Sequence, residues 1–182
     1  MPVPANSSTI HQIGTASDWV MRFGALVPAG GAVLDVACGA GRHANWFASR
    51  GHPVDGVDRV PLPELSPMVS YLQADIEANA WPYEGRQFAA VVVTNYLHRP
   101  LMKTLVDSVA PNGWLIYETF AAGNEAFGKP SRPDFLLQPR ELIELVRGCL
   151  RVVAFEDCYV ETPKPAMVQR IAAWRADHRR RV

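Results

Sequence analysis

The chain has 182 residues, is 48% hydrophobic and 20% charged, and balances 18 basic against 18 acidic side chains. Such a length fits one domain over residues 1–182 with a full core. Zero formal charge excludes a general electrostatic pull toward nucleic acid or an anionic membrane. No apolar run approaches the roughly 18 residues of a membrane span.

The start "MPVPANSST" lacks the basic and apolar regions of a signal peptide. Cys38, Cys149 and Cys158 have no paired spacing and read as reduced thiols, so a cytoplasmic protein is expected. Segment 1–14 is polar and expected to be flexible. Arg175, Arg179, Arg180 and Arg181 cluster in "RADHRRRV", which reads as a solvated end.

In chain order, Ser17 and Asp18 are placed to cap a helix through "WVMRFGALV", ended by Pro28 and Gly30-Gly31. "AVLDVA" predicts a buried strand, followed by a turn at Gly39-Ala40-Gly41 and a helix "RHANWFASR". "PVDGVD" and "VSYLQAD" predict two further strands, each ending in an aspartate, Asp58 and Asp75. "FAAVVVTN" is apolar throughout, as in a strand covered on both faces. "LMKTLVDSVA" predicts a helix stopped by a Pro111-Asn112-Gly113 turn, and "WLIYETF" the next strand. The long segment "AAGNEAFGKPSRPDFLL" has the length of a functional loop. A helix "PRELIELVRGC" and two strands, "LRVVAFEDCYV" and "AMVQRIAAWRA", complete the chain. Alternating strands and helices imply an α/β fold, an open and mostly parallel sheet of about seven strands closed by an antiparallel hairpin.

Gly39, Gly41 and Ala44 form a G-x-G-x-x-A pattern, and Asp58 follows Gly39 by 19 positions. That approaches a dinucleotide-binding fingerprint. Asp35, four positions before Gly39, argues against one, because a carboxylate there repels a diphosphate and suits a cationic ligand. With Asp58 and Asp75, it places acids at the carboxyl ends of the first three strands. S-adenosylmethionine has an ammonium, a sulfonium, a ribose and an adenine, and no phosphate.

"VLDVACGAGRHA" resembles motif I of the class I S-adenosylmethionine-dependent methyltransferases, matched at Asp35, Gly39 and Gly41, with Ala37 in place of the first glycine. The resemblance runs from about Ala32 to Phe120 and implies a single-domain Rossmann-like fold. It implies that Asp58 binds the ribose, that Asp75 reaches the adenine amino group and that Asn95 lies beside the transferring methyl. Ala89 stands where many members carry an acid. The segment "TNYLHRPL…YETF" with the following loop is similar to small bacterial methyltransferases related to tellurite-resistance enzymes.

His98, on the loop after the fourth strand, is a candidate general base, the role for which histidine as a residue type is suited. Tyr96 and Glu118 are further catalytic candidates, and Arg99 is a candidate for binding an acidic acceptor. Asn124, Phe127 and Arg132 are lid candidates, and Cys38 reads as packed rather than nucleophilic. His11, His43, His52 and His178 show no metal-ligand spacing, so no metal site is expected. The expected activity is methyl transfer from S-adenosylmethionine to a small molecule. A macromolecular acceptor and a catalytically silent S-adenosylmethionine-binding subunit stay open; a nicotinamide oxidoreductase is disfavoured by Asp35.

Overall fold

The computed structural model describes residues 14–61 and 65–177. His11, His178, the Arg179–Arg181 cluster and nearly all of segment 1–14 lie outside the described residues. The elements in order are α1 (Asp18–Gly24), β1 (Val33–Val36), α2 (Arg42–Ala48), β2 (Val54–Asp58), β3 (Val69–Gln73), β4 (Phe88–Thr94), α3 (Arg99–Asp107), β5 (Val109–Phe120), α4 (Glu141–Val146), β6 (Arg151–Val160) and β7 (Ala166–Trp174). They build one seven-stranded sheet in the order β3-β2-β1-β4-β5-β7-β6. The first five strands run parallel, and β7 joins β5 and β6 antiparallel. This is the α/β architecture expected from the strand and helix rhythm.

Side chains alternate across the parallel strands and divide the core into two layers. On one face Leu34, Val36, Val91, Val93, Leu115 and Tyr117 pack with Met102 and Leu105 of α3 and Leu142 and Val146 of α4. On the other, Val33, Val92 and Ile116 pack with Trp19, Val20 and Phe23 of α1 and Ala44 and Phe47 of α2. Both faces of β1 and β4 are covered, which accounts for their continuous apolar runs.

Local chemistry sets the helix entries. The Ser17 side chain accepts the Val20 N–H at 3.3 Å and caps α1, as its position predicts. α2 has no such cap from Gly41, which sits left-handed at φ 75°. Asp35 of the neighbouring strand supplies one instead, its Oδ2 accepting the Ala44 N–H at 2.9 Å. The carboxylate also opposes the positive end of the helix.

Two boundaries differ from the sequence expectation. The Pro111-Asn112-Gly113 stretch does not separate α3 from β5 but lies inside β5 as an irregularity in its pairing with β4. Asn112 takes φ 61°, and a Cβ on Gly113 would stand 2.8 Å from the carbonyl oxygens of Ala110 and Phe88. The kinked backbone keeps its ladder bonds by pairing Asn112 and Gly113 with Arg175. β3 ends at Gln73, so Asp75 begins the following turn rather than closing the strand.

Candidate functional site

The carboxyl ends of β1, β2 and β4 open around the turn through residues 37–41. Ala37 and Gly39 both take positive φ, 52° and 54°, and the Cys38 N–H between them donates to the Val57 carbonyl of β2. Asp58 stitches the turn: its Oδ2 accepts the Gly39 N–H at 2.9 Å and its Oδ1 the Val60 N–H at 3.0 Å. Asp75 forms a second turn, with Oδ1 accepting the Glu77 and Ala78 N–H groups. Asn95 ends β4 left-handed at φ 53° and donates its N–H to the Glu118 carbonyl.

These elements enclose a first cavity of about 520 Å³, lined among others by Ala37, Asp58, Asp75, Glu77, Asn95 and Tyr96. Its volume lies in the usual range for small-ligand sites. The Tyr96 hydroxyl is buried and has no hydrogen-bond partner among the described residues. Burial, with the Glu77 carboxylate beside it, raises the hydroxyl's pKa well above the usual phenol range, so it stays protonated. Tyr117 fixes the Tyr96 backbone by donating its hydroxyl to the Tyr96 carbonyl at 2.9 Å.

A second cavity of about 900 Å³ adjoins the first and shares the wall Asn95, Thr119 and Phe120 with it. Its other sides come from Ser17 and Asp18 of α1, Arg42 of α2, the loop after β5 and the β6–β7 turn. Glu118 lies on this wall, and burial raises its pKa against the pull of Ser17, Arg170 and Arg42. Arg170 links the wall together, 4.0 Å from Glu118, 2.8 Å from Glu156 and over the Trp19 ring at 4.8 Å. Asn124 shapes the loop from within by donating to the Pro130 carbonyl and accepting the Met167 N–H. Phe127 packs its ring on Tyr159 at 5.2 Å.

Several expected residues stand elsewhere. Asp35 is fully buried and lines neither cavity; its pKa is pushed up to about 7, by burial first and by Asp58, with the Ala44 N–H and Arg42 opposing. It braces the glycine turn through Oδ2, which accepts the Ala44 N–H, while its buried Oδ1 has no hydrogen-bond partner among the described residues. Gly39 and Gly41 shape the turn without lining either cavity themselves. His98 also lines neither cavity; it begins α3 with Nδ1 3.8 Å from Glu77 Oε2. Arg99 is a clamp, not a ligand-facing cation: it pairs with Glu141 at 2.7 and 2.9 Å and donates to the Asp134 and Leu136 carbonyls. Arg132 pairs with Asp134 outside both cavities. Cys38 is buried and its thiol pKa is raised by burial, in keeping with a packed role. Among the described residues no His, Cys, Asp and Glu cluster could hold a metal ion, and no helix is long and apolar enough to cross a membrane.

Sequence reading missed Glu77, Arg59 and Arg42 as lining residues. Arg42 had a local signal, directly following the last glycine of the turn. Glu77 had none, because only the Asp75 turn brings it beside Tyr96.

The first cavity fits the adenosine half of S-adenosylmethionine by its donor and acceptor set. Asp58 and Asp75 offer carboxylate lone pairs beyond those their backbone bonds use, and Tyr96 offers an unpartnered hydroxyl. Three acids facing one Arg59 favour a ligand without phosphate.

The sequence model of a family described as methyltransferase domain matches residues 9–178. No curated protein matches the chain significantly. Among solved structures, 1,6-didemethyltoxoflavin-N1-methyltransferase from Burkholderia thailandensis has a similar fold, with TM-score 0.64 and 18% identity over 87% of this chain and 77% of that one. TehB from Haemophilus influenzae superposes with TM-score 0.68 and 17% identity over 88% of this chain and 62% of that one. An S-adenosylmethionine-dependent methyltransferase from Methanosarcina mazei gives TM-score 0.66 and 14% identity, covering 90% of this chain and 99% of that one.

Proposed function

This chain belongs to the methyltransferase-domain family, and from that premise we propose that it transfers a methyl group from S-adenosylmethionine to a small-molecule acceptor. The observation that carries the reading is the junction of two cavities at Asn95, Thr119 and Phe120. One has the polar groups for an adenosine; the other is enclosed by loops and has the volume of a small-molecule pocket. The Burkholderia thailandensis enzyme, solved with 1,6-didemethyltoxoflavin and S-adenosylhomocysteine, is a small-molecule methyltransferase of similar fold and supports the acceptor class.

Bound S-adenosylmethionine supplies an activated methyl on a sulfonium, so the protein's task is binding and orientation. Asp58 and Asp75, which line the first cavity, would hold the ribose and adenine ends, with the Tyr96 hydroxyl as an added donor. Ala37, Gly39 and Gly41 bring the turn's backbone close, and Asp35 keeps that turn seated on α2. Arg42, opening α2 and lining the second cavity, would hold the donor's carboxylate. Asn95 marks the meeting point of donor and acceptor. Glu118 borders the acceptor side, where Arg170 holds its carboxyl in place. Orientation of this kind lowers barriers by about 7–11 kcal/mol in favourable cases.

The test combines methyl-labelled S-adenosylmethionine, the full chain and a cell extract, with small molecules separated from macromolecules. Label in the low-mass fraction is expected and yields the product for identification. Label confined to protein or nucleic acid would replace the small-molecule reading with a macromolecular one.

A further inference from the structure

The two adjoining cavities carry opposite formal charge. Asp58, Asp75 and Glu77 face Arg59 in the first, a balance of −2. In the second, Arg42, Lys129, Lys164 and Arg170 face Asp18 and Glu118, a balance of +2. The chain as a whole is neutral, so this division is local and runs across the shared wall.

Partners sharpen the contrast. Arg170 holds Glu156 and approaches Glu118, so that cation and that acid largely satisfy each other. Asp18 lies in the first turn of α1, where a carboxylate answers the helix end. Arg42, Lys129 and Lys164 make no ion pair with any described residue. Giving Arg42 to the methyl donor's carboxylate still leaves two lysines, from two different loops, without a counter-charge. Beside them the wall carries the rings of Phe120 and Phe127.

We infer that the second cavity selects an anionic acceptor with a flat apolar body, its charge held by Lys129 and Lys164. The inference deepens the proposed methyl transfer and rests on it. An anion suits that chemistry: its lone pair forms the bond to the methyl carbon as the methyl–sulfur bond breaks onto sulfur. Two opposite charges vanish, and no proton has to be removed. That also accounts for His98 standing outside both cavities.

The experiment uses the full chain saturated with S-adenosylhomocysteine and three ligand titrations by calorimetry. The probes are 2-naphthoate, the neutral isostere 2-naphthamide and 2-naphthylmethylammonium. The carboxylate is expected to bind about tenfold more tightly than the amide at low salt, with the margin shrinking as salt rises. The ammonium should bind weakest. In the double variant K129E/K164E the preference for the carboxylate should disappear while S-adenosylhomocysteine affinity is unchanged. Equal binding of the three probes, no binding of 2-naphthoate, or a preference surviving the double reversal overturns the inference. Failure of S-adenosylhomocysteine itself to bind would instead remove the methyltransferase reading beneath it, so the two failures are told apart.

Discussion

Asp35 and Ala44 are joined by a 2.9 Å hydrogen bond that ties β1 to the first turn of α2, and a second buried polar group ties the same helix to α1 and β4. His43 is buried, with Nε2 accepting the Ser17 N–H and Nδ1 3.3 Å from Thr94 Oγ1. Nε2 acts as an acceptor, so the proton sits on Nδ1 and points to the threonine oxygen. Burial first, and Arg42 second, lower the His43 pKa to about 3, whereas burial raises Asp35 to about 7.

These shifts act in opposite directions on stability. The Asp35 contribution is full below the carboxyl's ordinary pKa of 3.8 and is lost as pH rises toward 7. The His43 contribution is full above 6.5 and is lost as pH falls toward 3. Between about pH 4 and 6.5 the two slopes cancel. Urea unfolding at several pH values should therefore show an Asp35→Asn deficit, relative to the parent, that widens by about 1.4 kcal/mol per unit on acidification. A His43→Gln deficit should narrow over the same range. Parallel curves for all three proteins would mean that neither group titrates differently on folding.

Asp58 holds the turn with both oxygens, which accept the Gly39 and Val60 N–H groups, and in the proposed function its remaining lone pairs would hold the ribose. Asp58→Ala should remove two charge-assisted bonds and the acid of the ribose site together. Each such bond contributes about 1.5–3 kcal/mol. S-adenosylhomocysteine affinity is expected to fall at least about tenfold, with a lower thermal midpoint. Asp58→Asn keeps one acceptor oxygen and should recover more of the stability than of the affinity. An unchanged dissociation constant for the alanine variant would reject the site assignment.

The sheet was legible in the sequence because its signals are local. Apolar runs at Val33–Val36 and Phe88–Thr94 mark doubly covered strands, and Ser17 caps the helix it precedes. The Gly39–Asp58 offset was legible for the same reason, since a parallel βαβ unit fixes it. Asn112 and Gly113 misled: a turn-forming sequence serves equally to kink a strand, and only the Phe88 and Ala110 carbonyls pressed against Gly113 decide between them. Arg99 misled differently. Its four acceptors come from 35 to 42 residues away, so nothing adjacent to it signalled that the cation was already used. The burial of Asp35 beneath the first turn of α2 was not legible, because strand position fixes which face a side chain takes and not whether a helix covers it.

Tyr96 should separate stability from binding. Its hydroxyl is buried beside the Glu77 carboxylate. Tyr96→Phe removes the donor and keeps the ring. The variant is expected to bind S-adenosylhomocysteine more weakly while its stability changes by no more than about 1 kcal/mol. A clearly lower melting point together with unchanged affinity would assign the hydroxyl to Glu77 and to no ligand.

His98 was expected as a general-base candidate, and its position makes that expectation testable. Its imidazole heads α3 without capping it and lies 3.8 Å from the half-exposed Glu77 carboxylate, outside both cavities. A general base has to reach the proton it removes directly or through one water. An ion-pair contact at that distance to a half-exposed carboxylate contributes within about 0.5 kcal/mol, roughly a twofold effect. His98→Ala should therefore retain kcat/KM and S-adenosylhomocysteine affinity within that margin. Its pH–rate profile should keep the parent's shape. Loss of the acid limb of the profile, together with a fall of about a hundredfold in kcat, would restore His98 as the base. That outcome would also require the loop after β4 to move His98 toward Asn95 when the ligands bind.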